Sequence, residues 1–347
     1  MADRRRALPP QLDAPQIQRL AALNPQWWES AAPARSAGPG SGQGTIRAER
    51  IGSGESFVAW SVVRAGDPAR EVVVKVPTRP LDELSHPLGA ELEILSRVPD
   101  GITAAAITSH APSPEDPAAY VVTTRVPGRR IDAAAWDDGM IAELTRQLAR
   151  LHVGADTTGM DVPPLLDPVA DAEEALHWWR THEPEAAEVL EPLWPAVRAH
   201  QESVRPAFAE SERFLVHGDA SVANVLVDET GRPWLIDWEW THVGDPARDL
   251  AFVGGQVHAE PWFVDLDDDG IQRQILAYLE ERDALGAPVD AAAARGMRAR
   301  RDAYLLHEVF FFSAHFTRVA LAGGDEAAHY GATAESVRAQ ISDWIGG

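Results

Sequence analysis

Residues 214–240 read FLVHGDASVANVLVDETGRPWLIDWEW. Val, Leu, Ile and Trp form a regular apolar frame, yet Asp219, Asn224 and Asp237 interrupt it. A plain core needs no polar acceptors at those points. The run from Asn224 to Asp237 reads as a hairpin, with apolar residues on both sides of a Thr230-Gly231 turn. A turn centred between those two residues pairs Val227 with Trp234 and Asn224 with Asp237. One amide oxygen and one carboxylate then stand together at the open end. Asp219 lies five residues before Asn224, in a loop entered from the apolar strand "RFLV". Hard oxygen donors of this kind suit Mg2+, which takes one or two carboxylates and fills its other positions with water and phosphate oxygens. Asp219, one loop away, is then free to act as a base.

The rest of the chain bounds this reading. Its 347 residues suit one large domain or two lobes, and the 45% apolar fraction is enough for a core. A net charge of −22 opposes binding to a phosphate backbone, so nucleic acid is not expected as a partner. That charge fits a solvated acidic surface and would also suit a cationic substrate. The chain has no Cys, which excludes disulfides, thiolate metal sites and Cys nucleophiles. No apolar run reaches membrane-helix length, and "MADRRRALPPQ" lacks the apolar stretch of a secretory signal. A cytoplasmic enzyme with no membrane partner is the expectation.

Residues 1–45 read as an N-terminal extension, with one helix over Pro15–Trp28 and a flexible linker over Ser36–Thr45. Residues 46–126 read as a β-rich lobe. "IRAERIG", "FVAWSVVRA" and "REVVVKVP" are spaced as a meander, a helix fits His86–Val98, and strands fit Ile102–Thr108 and Tyr120–Val126. "VPGRR", Val126–Arg130, marks the boundary. Residues 127–347 are mostly helical, with helices expected over Met140–His152, Asp167–Arg180, Pro184–Ser203, Ile271–Arg282 and Ala291–Ala322. "DLDDDG", Asp265–Gly270, resembles half an EF-hand loop, but Leu276 stands where a bidentate Glu is required, so helix capping explains it better. His307 and His315, eight residues apart in a Phe-rich helix, are poorly spaced for a metal and fit core packing or a cavity wall.

His217-Gly218-Asp219 with Asn224 resembles the catalytic loop of the kinase superfamily in its HGDxxxxN form. "IDWE", Ile236–Glu239, stands where kinases carry DFG, and "GDPARDLA", Gly244–Ala251, completes the signature. The chain is identified on these motifs as similar to the aminoglycoside phosphotransferase and choline kinase-like family, which includes macrolide phosphotransferases. The likeness spans roughly Ile46–Gly255.

The resemblance implies an α+β, two-lobed protein-kinase-like fold, with a β-rich N-lobe carrying one helix and a mostly helical C-lobe. It also implies transfer of the γ-phosphate of ATP or GTP to a hydroxyl of a small molecule, with Mg2+. Asp219 would be the base, and Asn224 and Asp237 the metal ligands. Lys75, inside an apolar strand, would hold phosphates together with Glu91; Glu93 is the rival partner, but Glu91 lies on the inward stripe of Leu88 and Leu95. In "GSGESF", Ser53, Gly54 and Ser56 would approach the phosphates. In "YVVTTRVPG", the Thr124 carbonyl and the Val126 N–H would meet the adenine edge. His217 would pack beneath the loop, and Asp249 would brace it.

Only 11 residues separate Asp237 from Asp249, which leaves no platform for a protein substrate. The acceptor is then a small molecule. Glu173, Glu174, Asp265, Asp267 and Asp268 could hold an aminoglycoside or amino sugar. Trp178, Trp179, Trp262, Phe263 and Phe310–Phe312 could wall a macrolide, and a metabolite kinase stays open. A nucleotide-binding module without transfer is the alternative from another class. The expected partners are a nucleotide and a small-molecule substrate, bound by a monomer or weak dimer.

Overall fold

The computed structural model describes residues 8–30, 45–54, 56–65, 67–84 and 86–346. The chain divides into two compact units, Met1–Pro127 with Ile236–Trp240, and Gly128–Leu235 with Thr241–Gly347. The fold is mixed α and β, with the large sheet in the N-terminal part.

The first unit contains α1 (Ala14–Leu23), α2 (Gln26–Ser30), β1 (Ile46–Ser53), β2 (Phe57–Arg64), β3 (Asp67–Pro77), α3 (Ala90–Leu95), β4 (Ala106–His110) and β5 (Tyr120–Thr124). The strands form one antiparallel sheet in the order β1-β2-β3-β5-β4. Strand periodicity puts Val72, Val74 and Val76 of β3 on one face and Lys75 on the other. The three valines are buried against Ile17, Ala21, Trp27 and Trp28.

This corrects the reading of residues 1–45 as an extension, because α1 and α2 are part of the sheet's core. A capping box starts α1, with Asp13 and Gln16 each accepting the other's backbone N–H at 2.8 Å. Gln11 Nε2 donates to the Pro77 carbonyl at 2.7 Å. Most of the expected linker, residues 36–44, lies outside the described residues.

Helix α3 is shorter than the expected His86–Val98. Gly89 precedes it in a left-handed conformation at φ +91, after Pro87, which delays the first turn. An added Cβ at Gly89 would lie 2.7 Å from Ser109 Oγ. Strand β4 begins later than expected, since Ile102 is spent in a buried turn.

The second unit runs through α4 (Asp138–Gly154), α5 (Pro168–His182), α6 (Pro184–Ala187), α7 (Trp194–Val204), β6 (Phe214–Val216), β7 (Val225–Val227), β8 (Pro233–Leu235), β9 (His242–Gly244), α8 (Pro246–Val253), β10 (Gly254–Gly255), β11 (Val264–Asp265), α9 (Asp268–Ala284), α10 (Ala291–Ala322) and α11 (Ala327–Gly346). The single helix expected over Pro184–Ser203 is broken into α6 and α7, because Pro192 and Pro195 interrupt it. Asp267 caps α9 by accepting the Gly270 N–H at 2.7 Å, so "DLDDDG" is indeed a helix start. Helix α11, absent from the sequence expectations, buries Ala334, Val337 and Ile341 and packs on α10. Among the described residues no helix is long and apolar enough to cross a membrane.

The β7–β8 hairpin corrects the expected register by one residue. Val227 pairs with Pro233, Leu226 with Trp234 and Val225 with Leu235. Asp228 closes the loop instead. Its N–H donates to the Arg232 carbonyl at 3.0 Å. Its Oδ1 accepts the Thr230 and Arg232 N–H groups at 2.8 and 3.1 Å. The tip is therefore Glu229-Thr230-Gly231, with Gly231 left-handed at φ +83. The pair Asn224–Asp237 is not part of the ladder. Asn224 ends a 3-10 turn over Val222–Asn224, and Asp237 is left-handed at φ +68.

Candidate active site

The loop after β6 is fixed from beneath. Gly218 is left-handed at φ +84, which turns the chain out of the strand. Asp249, in the first turn of α8, is fully buried. Its Oδ2 accepts the His217 N–H at 2.7 Å and its Oδ1 accepts the Gly218 N–H at 2.9 Å. Burial alone would raise its pKa; His152, His217 and the Gly218 N–H outweigh that and hold Asp249 below its ordinary value. Arg248 Nε donates to the Gly218 carbonyl at 3.1 Å. His217 is buried, and its Nδ1 accepts the Asp219 N–H at 3.4 Å.

On this loop the Asp219 carboxylate is oriented by Asn224, whose Nδ2 donates to Oδ2 at 2.6 Å and to the Asp219 carbonyl at 3.2 Å. With its nitrogen committed there, Asn224 has Oδ1 as the end that can ligate a cation.

One acid on this side escaped the motif reading. Glu308 of α10 is mostly buried, and its carboxyl is pushed up to about 7. Burial is the main cause; Asp219 and Asp171 add to it, and Arg248 opposes it. Its signal in the sequence was an acid set inside the apolar run before Phe310–Phe312. The neighbouring His307 has Nδ1 3.5 Å from Asp171 Oδ2, and burial holds its imidazole below its ordinary value. Three of the acids first considered for substrate are engaged elsewhere. Glu173 pairs with Arg198 at 2.9 Å, Asp268 pairs with Arg298 at 2.7 Å, and Asp267 is the α9 cap. Among the aromatics, Phe310 is fully buried, while Trp178 is exposed and stacks on His182 at 4.8 Å.

Lys75, Glu91 and Asp237 lie in the first unit. Lys75 Nζ is 2.6 Å from Glu91 Oε1 and 3.5 Å from Asp237 Oδ1. Burial alone would lower the ammonium's affinity for its proton; Glu91 first, then Asp237, outweigh this and hold it above its ordinary value. Glu93 instead pairs with Arg97 at 3.0 Å on the surface. Asp237 is followed by Trp238, which is buried and donates to Thr103 Oγ1 at 2.9 Å, anchoring the segment.

Of the turn residues, Ser53 pairs with Val58, and the Gly54 N–H donates to the Phe57 carbonyl at 2.8 Å. Ser56 is buried, and its carbonyl accepts the Thr78 N–H at 2.9 Å. Thr124 ends β5 with its N–H on the Ala105 carbonyl at 2.9 Å, and Val126 is buried.

Lys75→Ala is expected to weaken nucleotide binding or turnover, and Glu91→Ala to do so less severely. Because the two side chains touch, the double variant should lose less than the sum of the single losses. Full additivity in calorimetry and kinetics would mean that the pair is not coupled.

Asp237 in the first unit and Asn224 in the second each carry a hard oxygen donor of the kind Mg2+ takes. Among the described residues no group of three or more His, Cys, Asp or Glu is placed to hold a metal. A Mg2+ held by few protein ligands and completed by phosphate and water is consistent with that.

Residues 47–288 match the family model described as the phosphotransferase enzyme family. No curated relative matches the chain at a significant level. Among solved structures, a choline kinase from Cryptosporidium parvum Iowa II matches with a TM-score of 0.60 at 12% identity, over 95% of this chain and 96% of that one. The GDP complex of aminoglycoside 2'-phosphotransferase-IIIa matches with a TM-score of 0.55 at 16% identity, over 87% and 94%. A spectinomycin phosphotransferase in complex with ADP and spectinomycin matches with a TM-score of 0.55 at 13% identity, over 96% and 95%. At these identities the likeness is one of fold.

Proposed function

The chain belongs to the phosphotransferase enzyme family, and on that premise we propose that it is a small-molecule kinase that transfers the γ-phosphate of ATP or GTP to a hydroxyl. The observation that carries this reading is the Asp219 carboxylate, held by Asn224 at 2.6 Å on a loop whose backbone N–H groups are fixed by buried Asp249. Asp219 accepts, or orients, the proton of the acceptor hydroxyl. The acceptor oxygen bonds to the γ-phosphorus as the bond to the bridging oxygen breaks, and a nucleoside diphosphate leaves. Lys75, oriented by Glu91, neutralises the phosphates that are not transferred. Asn224 and Asp237 would each supply an oxygen to Mg2+, whose charge would offset that of the nucleotide phosphates. Catalysis is then mainly positioning and electrostatics.

We favour an acceptor carrying a protonated amine, such as an aminoglycoside or amino sugar. The support is Glu308, which adds a second carboxyl near Asp219. That group is neutral below about pH 7 and charged above it. The KM for an amine acceptor should therefore fall as pH rises from 6 to 8, and Glu308→Gln should flatten that dependence. An equal slope in wild type and variant would remove Glu308 from acceptor binding. The reading as a whole is tested by mass spectrometry of a pooled aminoglycoside, macrolide and amino-alcohol panel, incubated with the protein, ATP or GTP, and Mg2+. A product heavier by one phosphate supports it and names the acceptor. Nucleotide binding with no phosphorylated product across a broad panel would favour the binding-module alternative.

A further inference from the structure

Three polar side chains, from α9, α4 and α8, form one buried chain that ends on the loop carrying Asp219. Tyr278 of α9, His152 of α4 and Asp249 of α8 are all essentially inaccessible to solvent. The Tyr278 hydroxyl is 2.9 Å from His152 Nδ1, and His152 Nε2 is 3.0 Å from Asp249 Oδ2. Arg282, also of α9, has its guanidinium carbon 5.9 Å from the centre of the Tyr278 ring and is itself held on Glu212 by two bonds of 2.6 and 3.0 Å.

The direction of every bond follows from the chemistry of the groups. A phenol can donate to His152 or accept from it, so the carboxylate at the other end of the chain decides. An ionised Asp249 only accepts, and it already takes the His217 and Gly218 N–H groups. A neutral imidazole between these neighbours satisfies both in one way, with Nδ1 accepting and Nε2–H donating. The other tautomer would set two lone-pair groups against each other at Asp249.

We propose that Tyr278 is a positioning residue for phosphoryl transfer, acting by fixing the Nε2–H tautomer of His152 and through it the Asp249 brace of the catalytic loop. This rests on the reading of the His217–Asn224 loop as the transfer centre. Asp249 carries the loop's two backbone N–H bonds while it stays ionised and aimed. A His152 ring that loses its partner at Nδ1 can turn, change tautomer or take a second proton, and each change alters the charge facing that carboxylate. The charged groups beside Tyr278 are Arg282, Glu212 and Asp245, and the His217 imidazole lies beside Asp249.

The test uses the full-length chain with 15N-labelled histidine. In wild type, the His152 signal should report a bare Nδ1 and a protonated Nε2 near neutral pH. Tyr278→Phe keeps the ring and removes the hydroxyl. It should change the His152 nitrogen signals, shift and broaden the His217 and Gly218 amide signals, and lower kcat about ten-fold or more. KM for nucleotide and acceptor should stay within two-fold, as expected for a small displacement of the reacting group.

A wild-type His152 protonated at Nδ1 would overturn the proposal, and that readout needs neither the variant to fold nor any transfer activity. A folded Tyr278→Phe chain with unchanged loop amides, or with wild-type kcat, would overturn it as well. If no acceptor is phosphorylated, the nitrogen and amide signals still decide the proposal separately from the functional reading.

Discussion

Asp219→Asn is expected to lower phosphoryl transfer about a hundred-fold or more while leaving Mg-nucleotide affinity within a few-fold, as loss of a positioned base does. The substitution keeps the side chain's volume and an oxygen that can still accept from Asn224 Nδ2. The loop backbone remains braced by Asp249 and by Arg248 on the Gly218 carbonyl. What is lost is the carboxylate that takes or directs the acceptor's proton. Steady-state kinetics with the acceptor found by mass spectrometry gives the first number, and titration calorimetry gives the second. An equal loss of nucleotide binding would move Asp219 into the metal site.

Removal of α1 and α2 should abolish stable folding of the first unit. The face of β3 carrying Val72, Val74 and Val76 would lose the cover of Ile17, Ala21, Trp27 and Trp28. Trp28→Ala alone should cost about 3–5 kcal/mol, the usual cost of truncating a buried Trp, since that side chain is 1% exposed. The lost stacking of the Arg64 guanidinium, 4.9 Å from the Trp28 ring, adds to this. Leu23→Ala at the end of α1 is the control. Leu23 is 77% exposed, and a change there should be close to neutral. Thermal unfolding of the three variants checks this. A truncated chain that melts like the full one would make α1 and α2 a mere appendage.

The parts of this molecule legible in the sequence were those written in local pattern. The apolar run "REVVVKVP" marked the strand that carries Lys75, and Leu88 and Leu95 marked the stripe that brings Glu91 to within 2.6 Å of Lys75. The hairpin was legible as a hairpin, but its register was not. The turn is centred by the Asp228 side chain accepting from Thr230 and Arg232, a bond that apolar periodicity does not encode. The role of α1 was hidden because its two core residues, Ile17 and Ala21, lie in an Ala- and Pro-rich stretch with no strand nearby in sequence. Glu308 was hidden for another reason. Its burial and its neighbours Asp219 and Asp171 come from elements far apart in the chain. The Tyr278–His152–Asp249 chain likewise joins three helices, and no single stretch shows it.

The five residues Ile236–Trp240 belong to the first unit although the chain on both sides of them belongs to the second. That makes the sheet-bearing unit discontinuous, and it limits how such genes can be cut and recombined. A crossover placed at Pro127 would transplant Lys75 and Glu91 from one parent and inherit Asp237 from the other. The ammonium would then meet a carboxylate, and Thr103 a tryptophan, selected in a different background. A chimera that carries 236–240 along with the first 127 residues keeps those partners together, so functional hybrids should be enriched for paired exchanges over single-junction ones.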